Sequence, residues 1–317
     1  MCKKRIVVIG ASGFVGAGIF EYLLKNKYDV YGIGRKSKPW RLEAELTSRY
    51  FNTREENLNQ ILNKIKPNVV INLAASGAYS FQKNFENMLN SNLKMLDEIA
   101  QWVIENNALL IHTGSSSEYG SNSAGPTELS VAKPNSLYSI TKLAGTHLLD
   151  YYSAIGLKSI VLRLYSVYGP KEDPSRLIPA VVRGLTVGIW PSFTDPRISR
   201  DFIYLDDVSQ LIIKILNSPI TDSSELFEIY NVGSGSSTTI GDLKNLLITE
   251  FKMPSQENNI YPKREWDVEN WFGNIEKVSK AFNWLPKTDL KEGLLKMKNW
   301  YLIGDNIKYL QSEYTEK

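Results

Sequence analysis

Short apolar runs recur through the first half of the chain: Ile6 to Ile9, Asp29 to Gly34, Val69 to Ala75 and Ala108 to His112. Runs this brief and this unbroken suit strands covered on both faces of a sheet. Between them the apolar positions change to helical spacing. Phe14, Val15, Ile19, Tyr22, Leu23 and Leu24 form one such set, and Leu58, Ile61, Leu62 and Ile65, ending before Pro67, form a second. Met88, Asn92, Met95, Leu96, Ile99 and Val103 form a third; Ile140, Leu143, Ala144, His147, Leu148, Tyr151 and Ile155, stopped by Gly156, form a fourth. Strand alternating with helix predicts an α/β fold built on a doubly wound parallel sheet, whose ligands bind beyond the carboxyl ends of the strands.

The first strand runs directly into Gly10-Ala11-Ser12-Gly13-Phe14-Val15-Gly16 and then a helix. Small residues there let the backbone approach a pyrophosphate, and the helix N-terminus offers N–H groups and a positive dipole end. This Rossmann-like unit predicts a dinucleotide held by Gly10, Ser12, Gly13, Phe14, Val15 and Gly16. At the end of the second strand, where a carboxylate would bind the adenosine ribose, the chain has Gly34-Arg35-Lys36. Arg35 suits the 2′-phosphate of NADP(H), with NAD(H) as the alternative. The third strand ends in Leu73-Ala74-Ala75, small enough to lie beneath a flat ligand. Asn92, inside an apolar helical stripe, is read either as a buried structural amide or as a residue ordering the active site.

Tyr138 and Lys142 stand four apart at the start of the fourth helix, on one face, so the ammonium can favour the phenolate. Bringing a phenol from about 10 to about 7 needs roughly 4 kcal/mol, within reach of a lysine and a cationic cofactor. Tyr79 and Lys83 share the spacing. Only Tyr138 follows the strand that ends in the serine run Ser115-Ser116-Ser117, so Tyr79 is expected to be a pocket wall.

Composition narrows the class. With 37 Lys+Arg against 34 Asp+Glu the net charge is only +3, which implies neither nucleic acid nor an anionic membrane as partner. A single cysteine, Cys2, precludes an internal disulfide framework, and no apolar run reaches the roughly 18 residues of a membrane span. A cytoplasmic protein is expected. His112 and His147 have no carboxylate or thiol cluster around them in sequence, so no metal is expected and both are read as buried imidazoles. Asp206-Asp207 is read as a helix cap, and Trp266, Trp271 and Trp284 as packing residues.

Taken in order, the glycine loop, the Ala74-Ala75 strand end, the serine run and Tyr138/Lys142 resemble the extended short-chain dehydrogenase/reductase family, with its nucleotide-sugar epimerases, 4,6-dehydratases and ketoreductases. Arg163 to Pro170, Arg200 to Val208, Tyr230 to Gly235, Arg264 and Asn283-Trp284-Leu285-Pro286 continue the likeness over roughly residues 4–296. The resemblance implies Tyr138 as proton carrier and Lys142 as holder of the nicotinamide ribose. It implies a serine partner that is Ser115 counted back from Tyr119-Gly120 and Ser116 counted forward from the strand. By the forward count, Ser117-Glu118 matches the dehydratase pair whose carboxylate removes a proton beside a carbonyl. Asn52 stands where an aspartate near the adenine is common, and Ser166 where an asparagine often meets the substrate phosphate. Arg200 and Arg264 would clamp the diphosphate.

The expected layout is a cofactor domain over 1–169 with 200–240 returning to it, and a smaller substrate-binding α/β domain over 170–199 and 241–317. The expected reaction is NADPH-dependent reduction of a keto-deoxy nucleotide-diphosphate sugar, with a self-contained 4,6-dehydratase or epimerase as the alternative. A homodimer is expected by resemblance.

Overall fold

A computed structural model describes residues 4–79, 81–223, 227–255 and 268–311. Arg264 and Trp266 lie outside the described residues.

Seven parallel strands form the central sheet: β1 (Arg5–Ile9), β2 (Asp29–Gly34), β3 (Tyr50–Asn52), β4 (Val69–Asn72), β5 (Leu109–Ser115), β6 (Lys158–Leu164) and, later in the chain, β10 (Phe227–Val232). Their order is β10-β6-β5-β4-β1-β2-β3, so the winding reverses between β1 and β4. That reversal opens a crevice past their carboxyl ends.

The apolar runs are unbroken because successive side chains serve different cores. Ile6 and Val8 of β1, Val69 and Ile71 of β4, and Ile160 and Leu162 of β6 enter one core. There they meet α1 (Phe14–Lys25) through Ile19 and Phe20, and α7 (Leu205–Leu216) through Leu211 and Ile212. Val7, Ile9, Val70, Leu110 and Val161 enter the other, against Ile61 and Leu62 of α2 (Leu58–Ile65) and Ile99 and Val103 of α4 (Met95–Glu105). The helix expected from Met88 is in fact α3 (Phe85–Leu89), joined to α4 by one π-helical turn, Asn90–Lys94. The strand expected to reach Ala75 stops at Asn72.

A third core gathers Tyr168 from β7 (Ser166–Tyr168) and Phe202 and Tyr204 from β9 (Phe202–Tyr204). Facing them are α6 (Leu177–Val187), α8 (Ile240–Thr249) and α10 (Leu290–Leu302). The short ladder of β8 (Ser199–Arg200) with β11 (Thr238–Thr239) borders this region. The boundary expected at residue 241 needs a correction. α9 (Glu276–Phe282) contributes Val278 and Phe282 to the main core, with Trp284 just beyond it, so this stretch packs under the sheet and not with the third core. Asp206 and Asp207 lie in the first turn of α7 but do not cap it by side-chain bonds; Asp207 instead accepts N–H groups of Lys287 and Thr288.

Candidate active site

The glycine loop sits where the winding reverses. Gly10 has φ +86°, and a Cβ there would come within 2.7 Å of the Ala74 nitrogen at the end of β4. A Cβ on Gly16 would overlap the Gly10 carbonyl. Gly13 caps α1 with no side-chain bond, and the first turn carries no acidic residue. Phe14 and Val15 open the helix, and Leu73, Ala74 and Ala75 lie half-buried beside the loop. This cradle, tight against the backbone and electropositive at the helix start, fits a pyrophosphate.

The ribose position beside it is unusual. A Cβ at Gly34 would meet the Tyr50 hydroxyl at 2.5 Å and Ser12 Oγ at 2.7 Å, so a carboxylate side chain there would have to displace these hydroxyls. Tyr50 donates to the Lys36 carbonyl at 2.8 Å, and Arg35 is exposed at the rim. Asn52, half-buried at the end of β3, donates to Glu55 and accepts the Arg54 N–H within its own turn. Asn92 is a buried amide that ties two segments together. Its amide holds both the N–H and the carbonyl of Ser76 and donates to Thr141 on α5 (Leu137–Ser153), each at 2.9 Å.

Ser136 caps α5 and places Tyr138 in its first turn, half-buried at the end of β5. The Ser115 hydroxyl acts on the Tyr138 phenol, lowering its pKa. Ser116 is engaged elsewhere: its Oγ accepts the Trp271 indole N–H at 3.0 Å. Of the two serines, Ser115 is the one whose hydroxyl acts on the phenol, and Ser116 the one held by Trp271. Burial pushes the Tyr138 phenol above its ordinary value; the Ser115 hydroxyl pulls it down, the Glu118 carboxylate raises it, and the Arg176 guanidinium lowers it.

Lys142 is only 2% exposed. It donates to the Thr113 carbonyl at 2.5 Å and lies 3.4 Å from His112 Nε2. Burial lowers its ammonium to about 8, partly offset by the charge of Glu118. The Lys142 ammonium is drawn to the Thr113 carbonyl at the end of β5, and burial is what holds the phenol above its ordinary value.

Glu118 is also corrected. One oxygen accepts the Ser115 N–H at 2.8 Å; the other accepts Thr146 Oγ1 at 2.9 Å and Arg163 Nε at 2.8 Å. It is fully buried and structural, because Ser115 and Glu118 form a capping box around the short turn Ser116–Tyr119 and roll the carboxylate beneath α5. The S-x-x-E spacing was the available signal.

Tyr79 belongs to a loop, stacked on Phe81 at 5.3 Å, with the Arg176 guanidinium 4.5 Å from its ring. Arg176 also donates to the Ala78 carbonyl, and its charge reaches the Tyr138 phenol, a role nothing in its local sequence announces. Arg200 donates to the Ser199 carbonyl and lies 5.4 Å from the Trp271 ring. Trp271 therefore spans from Ser116 to Arg200. Ser166, half-buried in β7, bonds by its backbone to Asp201, whose carboxylate accepts Ser234 and the Gly235 and Gly273 N–H groups. His112 is buried, whereas His147 is exposed, contrary to expectation. Among the described residues no His, Cys, Asp and Glu cluster could hold a metal, and no helix is long and apolar enough to cross a membrane.

The family model for the NAD dependent epimerase/dehydratase family matches residues 6–233. UDP-glucuronate 4-epimerase 1 of Arabidopsis thaliana is 28% identical, over 96% of this chain and 78% of its own. A UDP-glucose 4-epimerase from Thermotoga maritima, solved with UDP-glucose, has TM-score 0.82 at 26% identity, covering 94% of this chain and 98% of that one. A UDP-glucuronic acid 4-epimerase from Bacillus cereus, solved with UDP-glucuronic acid and NAD, has TM-score 0.79 at 25% identity, covering 93% and 98%. The reversing parallel sheet, the glycine cradle at its switch point and a family match over most of the chain lead to one conclusion: this protein belongs to the NAD dependent epimerase/dehydratase family, an enzyme group of the extended short-chain dehydrogenase/reductase type.

Proposed function

We propose that the protein is a nucleotide-sugar 4-epimerase acting on a UDP-linked hexose or hexuronate. The observation that carries this reading is that the Glu118 carboxylate, the dehydratase candidate, is fully buried and bound to Arg163 and Thr146. A dehydratase needs a carboxylate free to take a proton beside a carbonyl, and this one is held by Arg163 and Thr146. The keto-sugar reduction expected from sequence gives way, since the relatives named above are 4-epimerases.

The Gly10–Gly16 cradle and Lys142 would hold the dinucleotide. When bound, its oxidised nicotinamide supplies a reversible hydride acceptor and a positive charge that favours the phenolate. Tyr138 takes the proton from the sugar C4 hydroxyl and returns one to the same oxygen after the sugar has turned its other face. Ser115 donates to the reacting oxygen, and Arg176 adds positive charge beside the phenol. Arg200, with Arg264, serves the diphosphate. Leu137, Ile140 and Tyr151 expose apolar surface along α5, which supports pairing of two copies through that helix. Incubation with UDP-glucuronate and a trace of dinucleotide, followed by chromatography, should yield UDP-galacturonate; neither it nor UDP-galactose from UDP-glucose would sink the reading.

For the cofactor, the filled space at Gly34 and the exposed Arg35 favour NADP(H) over the NAD that the Bacillus cereus enzyme holds. Arg35→Ala should weaken NADP(H) and spare NAD(H); equal weakening of both would remove this preference.

A further inference from the structure

We infer that His112 is a positioning residue whose tautomer, fixed by Asn72, sets how Lys142 carries its proton. The inference rests on the reading of Tyr138 and Lys142 as the reacting pair. Asn72 and His112 are register partners on β4 and β5, so their side chains leave the sheet on the same face. Both are buried, at 0% and 1% exposure. Asn72 Oδ1 accepts the Ala74 N–H at 3.2 Å, which orients the amide, since the flipped amide would set N–H against N–H. Asn72 Nδ2 then donates to His112 Nδ1 at 3.2 Å.

An imidazole so buried is held neutral, because burial and the charge of Lys142 lower it well below its ordinary range. With its lone pair on Nδ1, its single proton is on Nε2, facing Lys142 Nζ at 3.4 Å. An ammonium there sets donor against donor. An amine offers a lone pair to the Nε2–H while still donating to Thr113. The chain Ala74, Asn72, His112, Lys142 thus favours the amine and ties the lysine's charge to the end of β4, beside the glycine cradle. The charged groups facing the pair are few: Glu118, which raises Lys142 and is itself bound by Arg163, and the Tyr138 phenol one turn back on α5.

Nitrogen-15 NMR of the intact protein tests this directly, because the chain has only two histidines, and His147 is exposed where His112 is buried. The wild type should show His112 protonated on Nε2 with a bare Nδ1. A proton on Nδ1 overturns the inference. Asn72→Asp, nearly isosteric, should move that proton to Nδ1, present the Nε2 lone pair to Lys142, and raise the alkaline titration of the lysine and the matching limb of the kcat/KM profile by about one pH unit or more, a tenfold change in the proton equilibrium. A moved tautomer with an unmoved lysine titration, followed by carbon-13 at Cε, also overturns it. Both spectroscopic readouts stand if no epimerase activity is found, so failure of the functional reading and failure of this inference remain distinct.

Discussion

The Trp271 indole N–H binds Ser116 Oγ at 3.0 Å across 155 residues of chain, whereas the Ser115 hydroxyl is the one that lowers the Tyr138 phenol. A serine that supports a reacting oxygen is expected to contribute about 10²- to 10³-fold in rate. Ser115→Ala should therefore lower kcat by that factor, whereas Ser116→Ala should act mainly on KM by releasing Trp271. Steady-state kinetics of the two variants checks this; the reverse ranking would restore the forward count.

Glu118 and Arg163 form an ion pair at 2.8 Å with side chains 0% and 5% exposed. Removing one partner leaves a buried charge uncompensated, at a cost of about 3–5 kcal/mol. Glu118→Ala should lose that much stability in denaturant titration. A variant of wild-type stability with abolished turnover would instead indicate a carboxylate acting on substrate.

Lys142 is buried at the cost of stability. Its folded value near 8 lies below the ordinary 10.5, so between those pH values the unfolded chain holds a proton that the folded chain has released. Stability thus rises with pH across that window, and below pH 8 the full cost, about 3 kcal/mol, persists. Lys142→Met should be inactive yet more stable than wild type at neutral pH, with the difference shrinking from pH 8 to 10.5. Paired denaturation curves across that range would test the sign, and a gap that widens with pH would contradict it.

The sheet was legible because its buried strands write continuous apolar runs, and the glycine loop because only residues without a side chain fit against Ala74. The phenol and lysine were legible by spacing once the serine run placed them. What escaped was tertiary. Trp271 reaches Ser116 from 155 residues away, Arg176 reaches Tyr79 across 97 positions, and Lys142 lies 3.4 Å from a histidine that sequence reads as mere filling. Glu118 misled because one spacing serves both a catalytic pair and a capping box.

Arg176 is the cation placed beside both Tyr79 and Tyr138. A sugar carboxylate near it would gain a charge-assisted bond that a neutral hexose lacks, worth about 1.5–3 kcal/mol. Arg176→Leu should raise KM for UDP-glucuronate at least tenfold more than for UDP-glucose. Equal effects on both substrates would assign Arg176 to the loop alone.

The central claim is that one carbon gives up its hydrogen and regains it within the same site, with Tyr138 carrying the proton. Substrate deuterated at C4 of the sugar tests it most directly. The predicted result is a C4-inverted product that keeps the deuterium, no net change in nicotinamide absorbance, and loss of conversion in Tyr138→Phe. Stoichiometric consumption of reduced dinucleotide, loss of the sugar C6 oxygen, or a Tyr138→Phe protein with full turnover would contradict it.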